Sequence, residues 1–126
     1  MYEVTVERTF SAAHNLRGYA GCCENLHGHN WRVEVAAATE TLDELGLAVD
    51  FRALKQALED VLAAFDHRYL NEIPPFDQVN PSCENLAQQI HDRLAGQIND
   101  GRVRVAWVRV WESEGSCVTY KDVRVP

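Results

Sequence analysis

Apolar and polar side chains alternate along the first ten residues of the chain. The apolar members of this segment are Tyr2, Val4, Val6 and Phe10. A two-residue period is typical of a β-strand that buries one face. The same alternation returns from about residue 27 to residue 38, where Trp31, Val33 and Val35 share one face. The sequence therefore predicts two strands in the N-terminal third of the chain.

The spacing of apolar residues becomes helical in the middle of the chain. Asp50 is a suitable N-cap for a first helix, whose apolar stripe extends from Phe51 to Phe65. An irregular stretch with several prolines follows over residues 66–81. Ser82 or its neighbour then caps a second helix, which ends at Asn99-Asp100-Gly101. The apolar stripe of this second helix consists of Leu86, Ile90, Leu94 and Ile98.

Two more strands are predicted near the C-terminus, over residues 103–111 and 118–125. Strands joined by short connections pair as antiparallel hairpins. We therefore expect one α+β domain over residues 1–126, with the order β-β-α-α-β-β. In this fold a four-stranded antiparallel sheet carries two helices on one face. Because open sheet edges favour pairing with another chain, we also expect a homo-oligomer.

Composition restricts the partners of the protein. The net charge of -7 argues against a nucleic-acid binding surface, which needs a basic face. No apolar run approaches the roughly 20 residues of a membrane-spanning helix, and no apolar leader is visible. An anionic ligand would need a metal or local cations, for which Arg8, Arg17, Arg68 and Lys121 are candidates.

The cysteines indicate a reducing compartment. They are Cys22, Cys23, Cys83 and Cys117. Two of them are adjacent, no Cys-x-x-Cys pair occurs, and nothing else in the sequence indicates a secreted disulfide framework. We therefore expect free thiols in a cytoplasmic protein.

Three histidines predict a metal site. His27 and His29 are two residues apart in the second predicted strand, so their side chains point to the same face. His14 can complete a set of three imidazoles with one coordination position left open. Neutral imidazoles and an open position suit a catalytic Zn²⁺. The alternative is that all three are ordinary strand histidines.

Cys23 is a candidate catalytic residue. It precedes His27 by four positions and lies within reach of the open coordination position. A thiolate is stabilised near a metal, so Cys23 could act as a nucleophile or a general base. Cys22 offers the same chemistry, and either cysteine could instead be a small core residue.

Asp66 and His67 form a second candidate pair, directly after the first helix. A carboxylate can fix the tautomer of a histidine and raise its basicity. The alternative is that His67 only complements the dipole at the C-terminus of that helix.

Glu112 follows an apolar strand face that also carries Ala106, Val108 and Val110. A carboxylate in this position is costly unless it is paired. It either pairs with an arginine or lysine, or accepts two hydrogen bonds from an amidine-like edge such as that of a guanine or a pterin.

Taken together, these residues resemble the 6-pyruvoyltetrahydropterin synthase superfamily. Within it the chain is most similar to the bacterial branch, the 6-carboxytetrahydropterin synthases of queuosine biosynthesis. The resemblance covers nearly the whole chain. It implies a tunnelling fold (T-fold), in which three subunits join their sheets into a barrel. Two such trimers would form a homohexamer with active sites between subunits. The matching blocks are Phe10–His14, Cys23–His29, Val49–Phe51, Asp66–Asn71, Pro81–Ala87 and Glu112.

The resemblance also implies a substrate, 7,8-dihydroneopterin triphosphate, and a role for each candidate residue. The implied Zn²⁺ ligands are His14, His27 and His29. The implied proton-transfer residues are Cys23, Asp66 and His67. Glu112 would hold the amino-pyrimidine edge of the pterin, together with backbone groups near Ser82 and Cys83.

The branch of the family decides the product. The bacterial branch is a lyase that forms 6-carboxy-5,6,7,8-tetrahydropterin, acetaldehyde and triphosphate, and the gap of three residues between Cys23 and His27 fits it. A second branch forms 6-pyruvoyltetrahydropterin without carbon–carbon cleavage. A third forms 6-hydroxymethyl-dihydropterin with a glutamate in the role of the cysteine, and Glu24 keeps this activity open. A non-catalytic zinc- or pterin-binding protein is the remaining alternative.

Overall fold

In the part of the chain that the structure describes, five strands form one mixed sheet, and two α-helices pack against one of its faces. The computed structural model describes residues 1–19 and 25–122. In the sheet the strands lie in the order β3-β1-β2-β4-β5. The strands are β1 (Tyr2–His14), β2 (His27–Thr39), β3 (Arg68–Tyr69), β4 (Arg104–Ser113) and β5 (Ser116–Lys121). The helices are α1 (Phe51–Leu62) and α2 (Cys83–Ile98).

The predicted α+β fold with two helices is confirmed, but the predicted four-stranded sheet is wrong by one strand. The additional strand, β3, lies parallel to β1, with Ala12 opposite Arg68. It is two residues long and falls within the stretch 66–81 that has no regular apolar pattern. Two residues are too few to show a two-residue period, so the sequence pattern cannot reveal this strand. It forms because it pairs with β1.

β1 and β2 form the longest pairing of the sheet. Their register is unshifted from Tyr2 opposite Thr39 to His14 opposite His27. Residues directly opposite each other in an antiparallel pair project to the same face. The buried side chains of both strands therefore face the helices together.

Each helix begins at the residue that the sequence predicts. The Asp50 carboxylate accepts a hydrogen bond from the Arg52 backbone N–H at 2.8 Å, which caps α1. The Ser82 hydroxyl accepts one from the Asn85 backbone N–H at 3.1 Å, which caps α2. No helix in residues 1–19 and 25–122 is long and apolar enough to span a membrane.

The register between β2 and β4 shifts near the middle of both strands. Trp107 lies opposite Ala36 and Val105 lies opposite Ala37, so Ala106 has no residue opposite it. The sequence places Ala106 on one strand face with Val108 and Val110, but after this shift Val105 and not Ala106 belongs to the core cluster with them. The alternation of β4 then continues from Trp107 to Trp111, and the register with β5 shifts again between Trp111 and Ser113, where Glu112 lies.

The C-terminal strand also differs from its predicted bounds. β5 begins at Ser116 and ends at Lys121, whereas the sequence predicts a strand over 118–125. Asp122 is already outside the strand, and residues 123–125 lie outside the described residues.

We expect Leu58→Ala to lower the free energy of unfolding by about 2–5 kcal/mol, because a buried leucine leaves a cavity when it is truncated. Leu58 is 0% exposed in α1. Leu45→Ala is the matched control, since Leu45 is 77% exposed, and it should change the value by less than about 0.5 kcal/mol. Urea unfolding of both variants measures this, and equal losses would contradict the described core.

Candidate functional site

Three imidazole rings meet where β1 ends and β2 begins. His14 lies opposite His27, and His29 follows two residues along β2 on the same face. The ring centroids are separated by 4.7 Å between His14 and His27, 5.2 Å between His14 and His29, and 4.6 Å between His27 and His29. One cross-strand pair and the two-residue period of a strand are enough to bring the rings together.

Backbone carbonyls fix the orientation of two of these rings. Nδ1 of His14 lies 2.8 Å from the Pro81 carbonyl oxygen, and Nδ1 of His27 lies 2.8 Å from that of Asn25. A carbonyl can only accept, so each Nδ1 carries the proton and leaves Nε2 with a lone pair in the neutral ring. This is the tautomer that a metal ligand requires. Nε2 of His14 is buried and has no hydrogen-bond partner among the described residues.

The indole ring of Trp31 packs against two of the imidazole rings. The Trp31 ring centroid lies 5.0 Å from that of His14 and 5.2 Å from that of His29. Trp31 is fully buried, and its indole N–H donates to the Ala12 carbonyl at 3.2 Å. Because this ring is packed and bonded in place, the imidazoles above it have a fixed support.

Glu112 joins the three histidines. Its Oε1 lies 3.0 Å from Nε2 of His29 and 3.8 Å from Nε2 of His14. One ligand atom from each of these residues and His27 falls within a group whose members lie within 4.8 Å of one another. Three imidazoles and a carboxylate suit a divalent metal such as Zn²⁺. The Glu112 side chain is 36% exposed, so it is more accessible to solvent than His14 or His29.

The N-terminus of α2 adjoins this cluster through Pro81, which bonds to His14. The side chains of the next two residues are already engaged within the protein, since Ser82 caps the helix and the Cys83 thiol donates to the Val110 carbonyl at 3.2 Å. Burial raises the pKa of Cys83 to about 12, and the charge of Glu112 adds to this effect. Cys83 is therefore a neutral thiol and not a nucleophile. The Ser82 hydroxyl accepts the capping bond and keeps its proton for a further contact.

Asp66 and His67 pack against β1. One oxygen of Asp66 accepts from the Ser11 backbone N–H at 2.9 Å and lies 3.0 Å from Nδ1 of His67. The Ser11 bond, and after it the contact with His67, lowers the pKa of Asp66, so this carboxylate is ionised at neutral pH. A proton on Nδ1 of His67 then leaves Nε2 as the basic nitrogen.

The backbone of His67 is unusual. Its φ is +59°, in the left-handed region that few residues other than glycine adopt, and its N–H donates to the Ser11 carbonyl at 2.6 Å. The side chain is 81% exposed. His67 and His29 line one open groove of about 440 Å³, together with Ser11, Asn30 and Arg68. One member of the aspartate–histidine pair, His67, and one member of the imidazole cluster, His29, therefore border the same groove.

Two candidate cations have other partners. The guanidinium of Arg8 pairs with Glu59 at 2.7 Å. That of Arg17 donates to the backbone carbonyls of Asn71, Phe76 and Val79. Arg68, by contrast, lines the groove beside His67.

The predicted catalytic Cys23 lies outside the described residues, as do Cys22 and Glu24. Sequence reasoning also missed a set of asparagine contacts near the cluster, made by Asn71 and Asn80. Neither residue titrates, and neither forms a regular spacing with the histidines. Asn71 ends one of the blocks that resemble the family, but nothing in the sequence points to the contacts that Asn71 and Asn80 make.

The sequence of this chain matches a known protein family. The sequence profile of the family described as 6-pyruvoyl tetrahydropterin synthase matches residues 3–123. The chain belongs to the 6-pyruvoyl tetrahydropterin synthase family. The match includes the three histidines, Asp66–His67 and Glu112.

Curated members of the family share about a third of their residues with this chain. An Archaeoglobus fulgidus protein, provisionally named 6-carboxy-5,6,7,8-tetrahydropterin synthase, is 39% identical over 105 residues, which cover 82% of this chain and 85% of the relative. The Bacillus subtilis protein named 6-carboxy-5,6,7,8-tetrahydropterin synthase is 30% identical over 118 residues (90% and 79%). A Pyrococcus furiosus dihydroneopterin monophosphate aldolase is 34% identical over 104 residues (82% and 83%).

Solved structures show the same fold. The Caenorhabditis elegans 6-pyruvoyl tetrahydropterin synthase superposes with a TM-score of 0.81 at 28% identity and covers 97% of both chains. The fold of this chain is therefore the T-fold of the family, and its chemistry is of the pterin synthase type.

We expect Cys83 to resist alkylation in the folded protein. A rise in pKa from 9.0 to about 12 lowers the thiolate fraction about a thousandfold, and burial restricts access of the reagent. Peptide mass spectrometry after iodoacetamide treatment would compare native protein with protein in guanidinium chloride. Similar alkylation of Cys83 under both conditions would contradict the buried thiol.

Proposed function

We propose that the protein is a zinc-dependent lyase that converts 7,8-dihydroneopterin triphosphate to 6-carboxy-5,6,7,8-tetrahydropterin, acetaldehyde and triphosphate, in queuosine biosynthesis. The observation that carries the proposal is the imidazole cluster. Backbone carbonyls bond Nδ1 of His14 and of His27, so that Nε2 is the nitrogen of each ring that can bind a metal. The names of the Archaeoglobus and Bacillus relatives support the branch.

The donor set fits zinc. His14, His27 and His29 would hold the ion, because the buried Nε2 of His14 has no hydrogen-bond partner among the described residues and a metal would satisfy it. Zinc bound there would supply Lewis acidity, which lowers the pKa of a hydroxyl group at the open coordination position.

Glu112 would bind the pterin. A carboxylate accepts two hydrogen bonds from an amino-pyrimidine edge, which donates twice. Nε2 of His29 cannot both donate a proton to Glu112 and ligate a metal, so a site that holds zinc leaves the carboxylate available. The partial exposure of Glu112 supports this role, as does the bond from the Cys83 thiol to the Val110 carbonyl, which holds the N-terminus of α2 against the strand that bears Glu112.

Asp66 and His67 would transfer protons, together with Cys23. The ionised Asp66 holds Nδ1 of His67, so that Nε2 can accept a proton from the substrate side chain and return it. His67 is largely exposed in the single chain, and we propose that a neighbouring subunit completes this part of the site in a cytoplasmic homohexamer. The sheet has two edges that could pair with other copies, β3 and β5.

A second candidate function is carbon–carbon cleavage to 6-hydroxymethyl-dihydropterin. The Pyrococcus furiosus relative is named as an aldolase that acts on dihydroneopterin monophosphate. Glu24 stands next to Cys23 and offers a carboxylate for the same role. Formation of 6-pyruvoyltetrahydropterin, supported by the name of the family, is a third outcome on the same scaffold.

Product analysis tests the proposal. We expect zinc-loaded protein incubated with 7,8-dihydroneopterin triphosphate to give 6-carboxytetrahydropterin and one equivalent of acetaldehyde, measured together by liquid chromatography and mass spectrometry. Cys23→Ala should abolish turnover but keep zinc, because the cysteine is outside the three-histidine set. Cys22→Ala is the matched control and should retain turnover.

Each other outcome contradicts a defined part of the proposal. A pyruvoyl or hydroxymethyl product without acetaldehyde would move the protein to another branch of the family. Full activity of Cys23→Ala would remove the role of that cysteine. Zinc binding without any turnover of the wild-type protein would indicate a binding protein.

A further inference from the structure

Just beyond the end of β1, two asparagine side chains form paired hydrogen bonds with the backbone of Asn15 and Arg17. The Asn71 carboxamide accepts from the Asn15 backbone N–H at 3.0 Å and donates to the Asn15 carbonyl at 2.9 Å. The Asn80 carboxamide makes the same pair of bonds to Arg17, at 2.8 Å and 3.0 Å. Each carboxamide thus bonds both the N–H and the carbonyl of one residue. A residue of a neighbouring antiparallel strand makes the same pair of bonds.

Of these two residues, Asn80 lies directly before Pro81, whose carbonyl bonds to Nδ1 of the proposed metal ligand His14. Two short segments, residues 14–17 and residues 80–81, are therefore joined at both ends. Asn80 bonds Arg17 at one end, and Pro81 bonds His14 at the other. Together the two segments close a small ring of hydrogen bonds.

The chain on both sides of Pro81 is held in place. The Asn80 carbonyl accepts from the Asn85 side chain at 2.9 Å, and Ser82 caps α2. The carboxamide of Asn80 ties this segment to the Arg17 backbone with two bonds, beside the bond from the Arg17 guanidinium to the Val79 carbonyl at 3.4 Å. Without it the Arg17 backbone N–H and carbonyl would each lose a bond, and only Asn85, Ser82 and the Arg17 side chain would hold the segment that carries the Pro81 carbonyl.

We propose that Asn80 is a positioning residue for the metal centre, acting on His14 through the Pro81 carbonyl. It sets the tautomer and direction of the His14 ring before the metal arrives. Groups that orient a ligand in this way commonly contribute about 10- to 100-fold to metal affinity. The inference rests on the metal site of the proposed function, but not on the identity of the pterin product.

Zinc affinity of Asn80→Ala tests the proposal. We expect the variant to bind zinc about 10- to 100-fold more weakly in competition with a chromogenic chelator. Its cobalt-substituted form should show an altered visible absorption spectrum, because the His14 ring is no longer held in one orientation. The unfolding free energy of each metal-free protein, measured in urea, separates this effect from loss of folding.

The matched control is Asn99→Ala, at the other end of α2. The Asn99 side chain accepts from the Val105 backbone N–H at 2.9 Å, so its removal also costs a contact between a side chain and the backbone. We expect this variant to bind zinc within about twofold of wild type. Asn80→Asp provides a second test if Asn80→Ala does not fold. It keeps the bond from the Arg17 N–H but sets a carboxylate oxygen against the Arg17 carbonyl oxygen, so it should also weaken zinc binding.

The results separate two kinds of failure. A folded Asn80→Ala protein with wild-type zinc affinity would overturn the proposal, as would an equal loss in Asn99→Ala. If only Asn80→Asp folds, wild-type affinity in that variant would overturn it. A wild-type protein that binds no zinc would instead overturn the metal site of the proposed function, and the role of Asn80 with it.

Discussion

The unshifted antiparallel register of β1 and β2 is the constraint on which the rest of the structure depends. It places His14 opposite His27 and carries His29 and Trp31 to the same face. A slip of one residue would turn every side chain of β2 to the other face of the sheet. The core would then lose Val33 and the other buried residues of β2, so burial of the core and assembly of the site enforce the same register.

Two layers of contacts turn this geometry into a defined site. The sheet brings the imidazoles together, but carbonyls outside the regular strands, from Pro81 and Asn25, decide which ring nitrogen carries the proton. The N-terminus of α2 supplies one of these carbonyls, and the Cys83 thiol fastens it to β4 near Glu112. Helix and sheet are thus fixed against each other at the point where the candidate site lies.

The sequence predicted what depends on local periodicity and failed where distant contacts decide. The long strands, the helix caps at Asp50 and Ser82 and the spacing of the histidines follow from patterns within a few residues. β3 exists because β1 offers an edge, and the shift at Ala106 arises from the pairing of two distant strands. The contacts of Asn80 are also long-range, so single-sequence patterns do not report them.

The central claim is that three imidazoles hold one zinc ion in a site that stays open for a substrate. A crystal structure of the zinc-loaded protein with anomalous data at the zinc edge tests it most directly. The account predicts one ion bound by nitrogen atoms of His14, His27 and His29 at about 2.0–2.1 Å, with Glu112 outside the coordination sphere. A Glu112 oxygen bound as fourth ligand, or zinc bound elsewhere, would contradict it.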